Sequence, residues 1–192
     1  MENIMMKDLK EVLITEEQIQ KRVKELAQQI SKDYENDSVV CICILKGGSL
    51  FFADLVRELT CQTIFEFMAV SSYGSATRSS GEVKIIKDCT MPVEGRNIIF
   101  VEDIVDSGYT LRYLTKLFEA RGCKSIKICS LLDKPSRRQT EVKADYKGFE
   151  IEDKFVVGYG LDYDGEYRNL RVVGVLKEEV YNKKEETQDK ED

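Results

Sequence analysis

The run Ile98-Ile99-Phe100-Val101 contains no polar position, and it leads directly into Glu102-Asp103, then Asp106-Ser107-Gly108-Tyr109-Thr110, then helical spacing at Leu111, Leu114, Leu117 and Phe118. A strand this apolar must be buried on both faces, the situation found in parallel sheets covered by helices. The acidic and small residues therefore sit at the carboxyl end of a central strand, just ahead of a helix. In open α/β sheets ligands bind there, because free amides and the positive end of the helix dipole point into the crevice. Ser107, Gly108, Tyr109 and Thr110 can form an anion nest, with Gly108 allowing close backbone approach and hydroxyls adding donors. The plainer reading, a helix cap with a polar turn, draws on the same residue types.

The same alternation runs through most of the chain. Thr15 with Gln18 makes a capping-box start, and Ile19, Val23, Leu26, Ala27 and Ile30 then mark one face of a core-packing helix. Strand 39–45, helix 49–60, strand 63–70, strand 83–87, strand 97–101, helix 110–121 and strand 124–132 follow. This order predicts an α/β fold: a twisted, mainly parallel sheet flanked by helices. Beyond Pro135 the pattern changes to short strands near 155–159 and 172–176 around a Gly/Asp/Tyr-rich loop. Residues 1–181 thus read as one domain, with a core over about 15–134 and a small hood lobe from about 1–14 and 135–181. Residues 182–192 are almost wholly charged or polar and read as a disordered acidic tail. The stretch 71–82, rich in Gly and Ser, reads either as a plain flexible loop or as an active-site lid.

With 192 residues the chain suits one α/β domain and leaves little room for a second. Its formal charge of −6, from 29 basic and 35 acidic residues, argues against a general nucleic-acid surface. An anionic ligand must then find positive charge locally. Cysteines 41, 43, 61, 89, 123 and 129 form no CxxC pair, and there is no histidine to complete a zinc site. The absence of a signal peptide and of any long apolar stretch places the chain in a reducing cytoplasm, away from membranes. Neither G-x-x-x-x-G-K-[ST] nor G-x-G-x-x-G occurs, which disfavours the common nucleotide-binding folds.

Glu102 and Asp103 would repel a phosphate, so they suit a metal ion or sugar hydroxyls. Phosphoribosyl pyrophosphate combines a terminal phosphate, vicinal hydroxyls and a metal-bound anionic leaving group. Here the stretch resembles the signature of the type I phosphoribosyltransferases, in the branch that acts on 6-oxopurines. The resemblance also covers Leu45-Lys46-Gly47-Gly48, Ser72-Tyr73-Gly74, Leu132-Asp133-Lys134-Pro135, Gly148 to Ile151, Lys154 to Tyr159, Leu161-Asp162-Tyr163 and Arg168-Asn169-Leu170. Taken alone, Lys46 to Ser49 is a tight strand-to-helix turn, Phe155 and Val156 are core residues, and Lys134, Asp162 and Arg168 are solvated charges.

What the resemblance implies is more specific. Lys46, Gly47 and Arg168 hold pyrophosphate, with a cis peptide between Leu45 and Lys46. Asp106 to Thr110 take the 5′-phosphate, Glu102 and Asp103 face the ribose and Mg2+, and Asp162 is a further metal ligand at the base pocket. Phe155 stacks on the purine, Val156 offers backbone groups, and Lys134 donates to O6. Asp106 accepts the N7 proton, and Ser72 with Tyr73 closes a lid. The implied reaction moves the phosphoribosyl group to N9 of hypoxanthine or guanine, in a homodimer or homotetramer that binds neither nucleic acid nor membrane. The alternatives are a relative acting on xanthine or another base, and an RNA-binding regulator on the same scaffold. Two positions depart from the pattern: Arg171 stands where many bacterial relatives have proline, and Tyr109 occupies a variable nest position.

Overall fold

The computed structural model describes residues 4–72 and 83–181. Strands β1 (Leu9–Ile14), β2 (Ser38–Leu45), β3 (Gln62–Ser72), β4 (Val83–Lys87), β5 (Asn97–Val105), β6 (Ser125–Asp133), β7 (Tyr146–Glu150), β8 (Val156–Val157) and β9 (Val173–Leu176) alternate with helices α1 (Glu16–Asp33), α2 (Ser49–Glu58) and α3 (Tyr109–Ala120). They form a six-stranded sheet, β4-β3-β2-β5-β6-β7, and a three-stranded sheet, β1-β9-β8. In the large sheet only the β3–β4 pair is antiparallel.

Period-two alternation sorts the central strands between two cores. Val39, Cys41, Cys43, Ile99 and Val101 pack with α1 and α2 on one face. Val40, Ile42, Ile44, Ile98 and Phe100 pack with Leu111, Leu114 and Phe118 of α3 on the other. Both central strands are therefore enclosed on both sides, as their unbroken apolar runs require. The capping box forms as expected: Gln18 N–H donates to Thr15 Oγ1 at 3.3 Å and Thr15 N–H donates to Gln18 Oε1 at 2.8 Å.

Three features differ from the expectation. β5 does not stop at Val101. It continues in register with β6 through Glu102 and Ile104 to Val105, so the two acids are strand residues, with their carboxyls in contact. β7 lies within the segment assigned to the hood, yet it extends the large sheet parallel to β6. Its signal is hidden by Gly148, where any Cβ would stand 2.2 Å from the Leu131 carbonyl oxygen; close packing of neighbouring strands demands glycine there. β1 was expected only as part of the hood, and it pairs with β9, with register shifts that blur its alternation. The polar loop and the acidic tail fall outside the described residues, except that Ser71 and Ser72 end β3.

Candidate active site

At the carboxyl ends of β2, β5 and β6 the chain places two neighbouring clusters. In the first, β2 leads through a cis Leu45–Lys46 bond into Gly47 and Gly48, and α2 starts at once. A Cβ on Gly47 would lie 1.6 Å from Asp103 Oδ2, so this turn rests directly on the Asp103 carboxylate. From the other side Gly160, at φ +104°, would drive a Cβ to within 2.0 Å of the Gly47 carbonyl oxygen. Only glycine allows both contacts. Arg168 completes this cluster, donating to the Gly160 carbonyl at 2.6 Å and pairing with Asp162 Oδ1 at 2.6 Å, while Asp162 Oδ2 accepts from Gly165 N–H at 2.8 Å.

The Glu102–Asp103 pair is electrostatically costly as it stands. Burial pushes both carboxyls above their ordinary range, and the neighbouring charge of Asp103 adds to the effect on Glu102. Asp103 Oδ1 accepts from Ile104 N–H at 2.8 Å, whereas the enclosed Glu102 Oε2 has no partner among the described residues. An orphaned buried carboxylate oxygen beside a second acid is a donor set for a hard cation. Among the described residues no three acids, cysteines or histidines converge as a protein-only metal cage. Asp162, expected as a third metal ligand, therefore does not join Glu102 and Asp103; its carboxylate pairs with Arg168 instead.

The second cluster surrounds the turn after β5. Glu102, Ile104, Val105, Asp106, Ser107, Gly108, Thr110 and Leu111 line a cavity of about 100 Å³. Gly108, at φ +86°, caps α3, and no side chain caps the helix's first turn. The cavity thus opens on an electropositive helix end with spare donors. The turn is braced by Arg138, a residue that sequence reasoning missed. Its guanidinium donates to the carbonyls of Asp106 at 2.9 Å and Val105 at 3.2 Å, reaches the Val142 carbonyl, and pairs with buried Asp133. An Arg-Arg doublet after Lys134-Pro135 gives no hint that its second member binds main-chain carbonyls. Arg138→Met should therefore lower stability by about 3 kcal/mol by leaving buried Asp133 with only Lys147, 3.8 Å away, and should raise KM for a phosphorylated substrate; thermal melting and kinetics would check both.

Arg137 links this turn to the third part of the site, with Nε 2.9 Å from Asp106 Oδ1 and Nη1 3.4 Å from Asp153 Oδ1. Lys134 is buried, donates to the Lys154 carbonyl at 2.7 Å and lies 3.8 Å from Asp153. Burial pulls its ammonium below the ordinary lysine range, and Asp106 and Asp153 oppose that pull. Beside it Phe155 is 46% exposed, while Val156 is buried in β8. Arg171 projects outward to pair with Glu16 at 2.7 Å. Of the expected lid, Tyr73 and the side chain of Ser72 lie outside the described residues.

A helix end with free donors, a pair of neighbouring acids and a glycine turn thus lie together at the carboxyl edge of the parallel sheet. Residues 13–164 match the family model described as the phosphoribosyl transferase domain. The chain is 54% identical over 178 residues to the hypoxanthine-guanine phosphoribosyltransferase of Bacillus subtilis (strain 168), covering 93% of this chain and 99% of that protein. A crystal structure of a hypoxanthine phosphoribosyltransferase from Staphylococcus aureus superposes with a TM-score of 0.91 at 48% identity, covering 94% and 98% of the two chains. A hypoxanthine-guanine phosphoribosyltransferase from Bacillus anthracis, solved with HEPES in its active site, gives 0.84 at 46% identity, covering 88% and 99%. The chain belongs to the hypoxanthine-guanine phosphoribosyltransferase family.

Proposed function

We propose that the protein is a purine-salvage enzyme that transfers the 5-phosphoribosyl group from phosphoribosyl pyrophosphate to N9 of hypoxanthine or guanine, giving IMP or GMP and pyrophosphate. The observation that carries this reading is the placement of the uncapped α3 turn beside buried Asp103 and half-buried Glu102, whose Oε2 is enclosed. One accepts a phosphate monoester, and the other accepts hydroxyls and a cation. The amides and hydroxyls of Asp106 to Thr110 bind the 5′-phosphate, and Glu102 and Asp103 orient the ribose. Lys46, Gly47 and Arg168 receive the pyrophosphate. Magnesium, held by Glu102 and Asp103, would supply neutralisation of the leaving anion.

Phe155 stacks on the base and Val156 presents backbone groups to its edge. Lys134 keeps donors to spare beyond its bond to the Lys154 carbonyl, and an ammonium can only donate. A 6-oxo group satisfies it, whereas a 6-amino group leaves it unpaired, a mismatch worth on the order of 10⁴-fold. As N9 attacks C1′ and pyrophosphate departs, the proton on N7 passes to the Asp106 carboxylate.

The reading extends to assembly and compartment. Leu50, Phe65, Phe67 and Ile86 expose large apolar side chains, which supports burial between copies in a homodimer or homotetramer. The cysteines are free, as in a reducing cytoplasm, and no helix among the described residues is long and apolar enough to cross a membrane. The RNA-binding alternative is not favoured, since the similar proteins are named as enzymes.

Pyrophosphate release measured base by base provides the test. Hypoxanthine and guanine should both turn over, adenine should be slower by on the order of 10⁴-fold, and chelation of magnesium should abolish the reaction. Asp106→Asn should lower kcat by about 10²–10⁴-fold. Equal turnover of adenine would contradict the base assignment, and undiminished turnover by the asparagine variant would remove Asp106 as the base.

A further inference from the structure

Phe155 does not stand alone at the base side of the crevice. The Tyr163 ring lies 5.7 Å from it, centroid to centroid, with the planes at 87°, and the Tyr181 ring lies 5.4 Å away at 47°. The two tyrosines are themselves 6.5 Å apart at 71°, and the Tyr163 hydroxyl donates to the Tyr181 carbonyl at 3.3 Å. The three rings close a triangle drawn from separate segments: the approach to β8, the loop beyond it, and the last helical turn. The chain is anchored just ahead of that turn, where Lys177 N–H donates to the Asp8 carbonyl at 3.0 Å and Lys177 Nζ to the Lys7 carbonyl at 2.6 Å. Phe155 is tied at its main chain, its carbonyl accepting from Leu176 N–H at 3.1 Å.

An aromatic side chain nearly half exposed, with no such neighbours, would populate several rotamers and lose that freedom when a ligand stacked on it. Edge and tilted ring contacts each add stabilisation beyond area burial, and they set the orientation of the plane. Ordering a contact surface before binding shifts that entropic cost from the ligand to folding. Building on the stacking role proposed above for Phe155, we propose that Tyr163 and Tyr181 are positioning residues for the nucleobase: they hold the Phe155 ring in its stacking orientation. The C-terminal turn thereby becomes part of the specificity apparatus without touching the reacting atoms.

The consequence is selective. Loss of the Tyr181 ring weakens base binding and leaves the phosphoribosyl pyrophosphate subsite alone, since that subsite is built from the ends of β2 and β5, the start of α3 and Arg168, whose guanidinium is held by Asp162 and the Gly160 carbonyl. Tyr181→Ala should raise KM for hypoxanthine and guanine about fivefold, with kcat and KM for phosphoribosyl pyrophosphate unchanged. Tyr181→Phe keeps the ring and should restore KM, because the bond from Tyr163 goes to the Tyr181 main chain. In a Phe155→Ala background, Tyr181→Ala should add nothing further. Should Tyr181→Ala unfold the turn, Tyr181→Leu keeps the apolar bulk without the ring and should show the same selective rise.

The outcomes separate the two claims. If Phe155→Ala raises KM for the base while Tyr181→Ala and Tyr181→Leu do not, the bracing role is wrong and the stacking role stands. If the effects of Tyr181→Ala and Phe155→Ala multiply, Tyr181 acts independently of Phe155 and the proposal is overturned. If Phe155→Ala leaves KM for the base unchanged, the stacking role fails and the bracing role falls with it.

Discussion

Glu102→Gln is expected to make the unliganded protein more stable at neutral pH while reducing transfer by about 10²-fold or more. Both effects come from the same buried pair. Burial and the Asp103 charge raise the Glu102 carboxyl above its ordinary range, so the folded state resists its ionisation. The unfolded chain ionises near pH 4.3. Below that pH the carboxyl is neutral in both states and costs nothing. As pH rises toward the folded-state value, the unfolded state releases its proton first and the native state loses stability relative to it.

Glutamine cannot ionise, so its advantage over the wild type should be near zero at pH 4 and grow toward pH 7. A gain of roughly 1 kcal/mol, or about 2–4 °C in Tm, is the expected scale. The loss of activity follows because the amide no longer offers an anionic oxygen to the cation and ribose. Melting curves across pH, run alongside pyrophosphate release, measure both. A variant that is less stable than the wild type at pH 7 would show that Glu102 is stabilising where it stands.

The second large effect is steric. Gly47→Ala would put a Cβ 1.6 Å from Asp103 Oδ2 and 2.5 Å from its Cγ. Asp103 is buried, and its Oδ1 is held by Ile104 N–H, so the carboxylate has little room to retreat. The turn cannot move the other way either, because Gly160 packs against the Gly47 carbonyl. The variant should therefore fold with a displaced turn or a rotated Asp103. A misplacement of about 1 Å near reacting groups costs about 10²-fold. Steady-state kinetics should show this loss in kcat/KM for phosphoribosyl pyrophosphate, with near-normal circular dichroism. Retention of full kcat/KM would mean that the turn does not hold pyrophosphate.

The large-scale fold was legible because the central strands are apolar on both faces and the first helix carries its own cap. Ser38–Leu45 and the first part of Asn97–Val105 could hardly be anything else. Less legible were the places where local chemistry opposed the outcome. Glu102 and Asp103 continue β5 although charged residues are rare in buried strands, so their residue types pointed to a loop where the ladder runs on. β7 carries a glycine that normally weakens a strand, required here by the Leu131 carbonyl.

The site divides in the same way. The Asp106 to Thr110 turn is contiguous and shows in the sequence as a motif, whereas the residues that support it do not. Arg138 acts on the carbonyls of Val105, Asp106 and Val142, groups that every sequence possesses and none advertises. Gly160 meets the Gly47 turn only through the folding of the hood onto the large sheet, and Tyr181 meets Phe155 only through the folding of the hood on itself. Arg168 was expected to face pyrophosphate, and in the unliganded protein its guanidinium is engaged by Asp162 and the Gly160 carbonyl.

A crystal structure of the protein with magnesium and phosphoribosyl pyrophosphate tests the central claim most directly. The account predicts the 5′-phosphate on the amides of Asp106 to Thr110, the ribose hydroxyls at Glu102 and Asp103, and the pyrophosphate against Lys46 and Gly47. A 5′-phosphate bound anywhere else, with the turn before α3 empty, would contradict it.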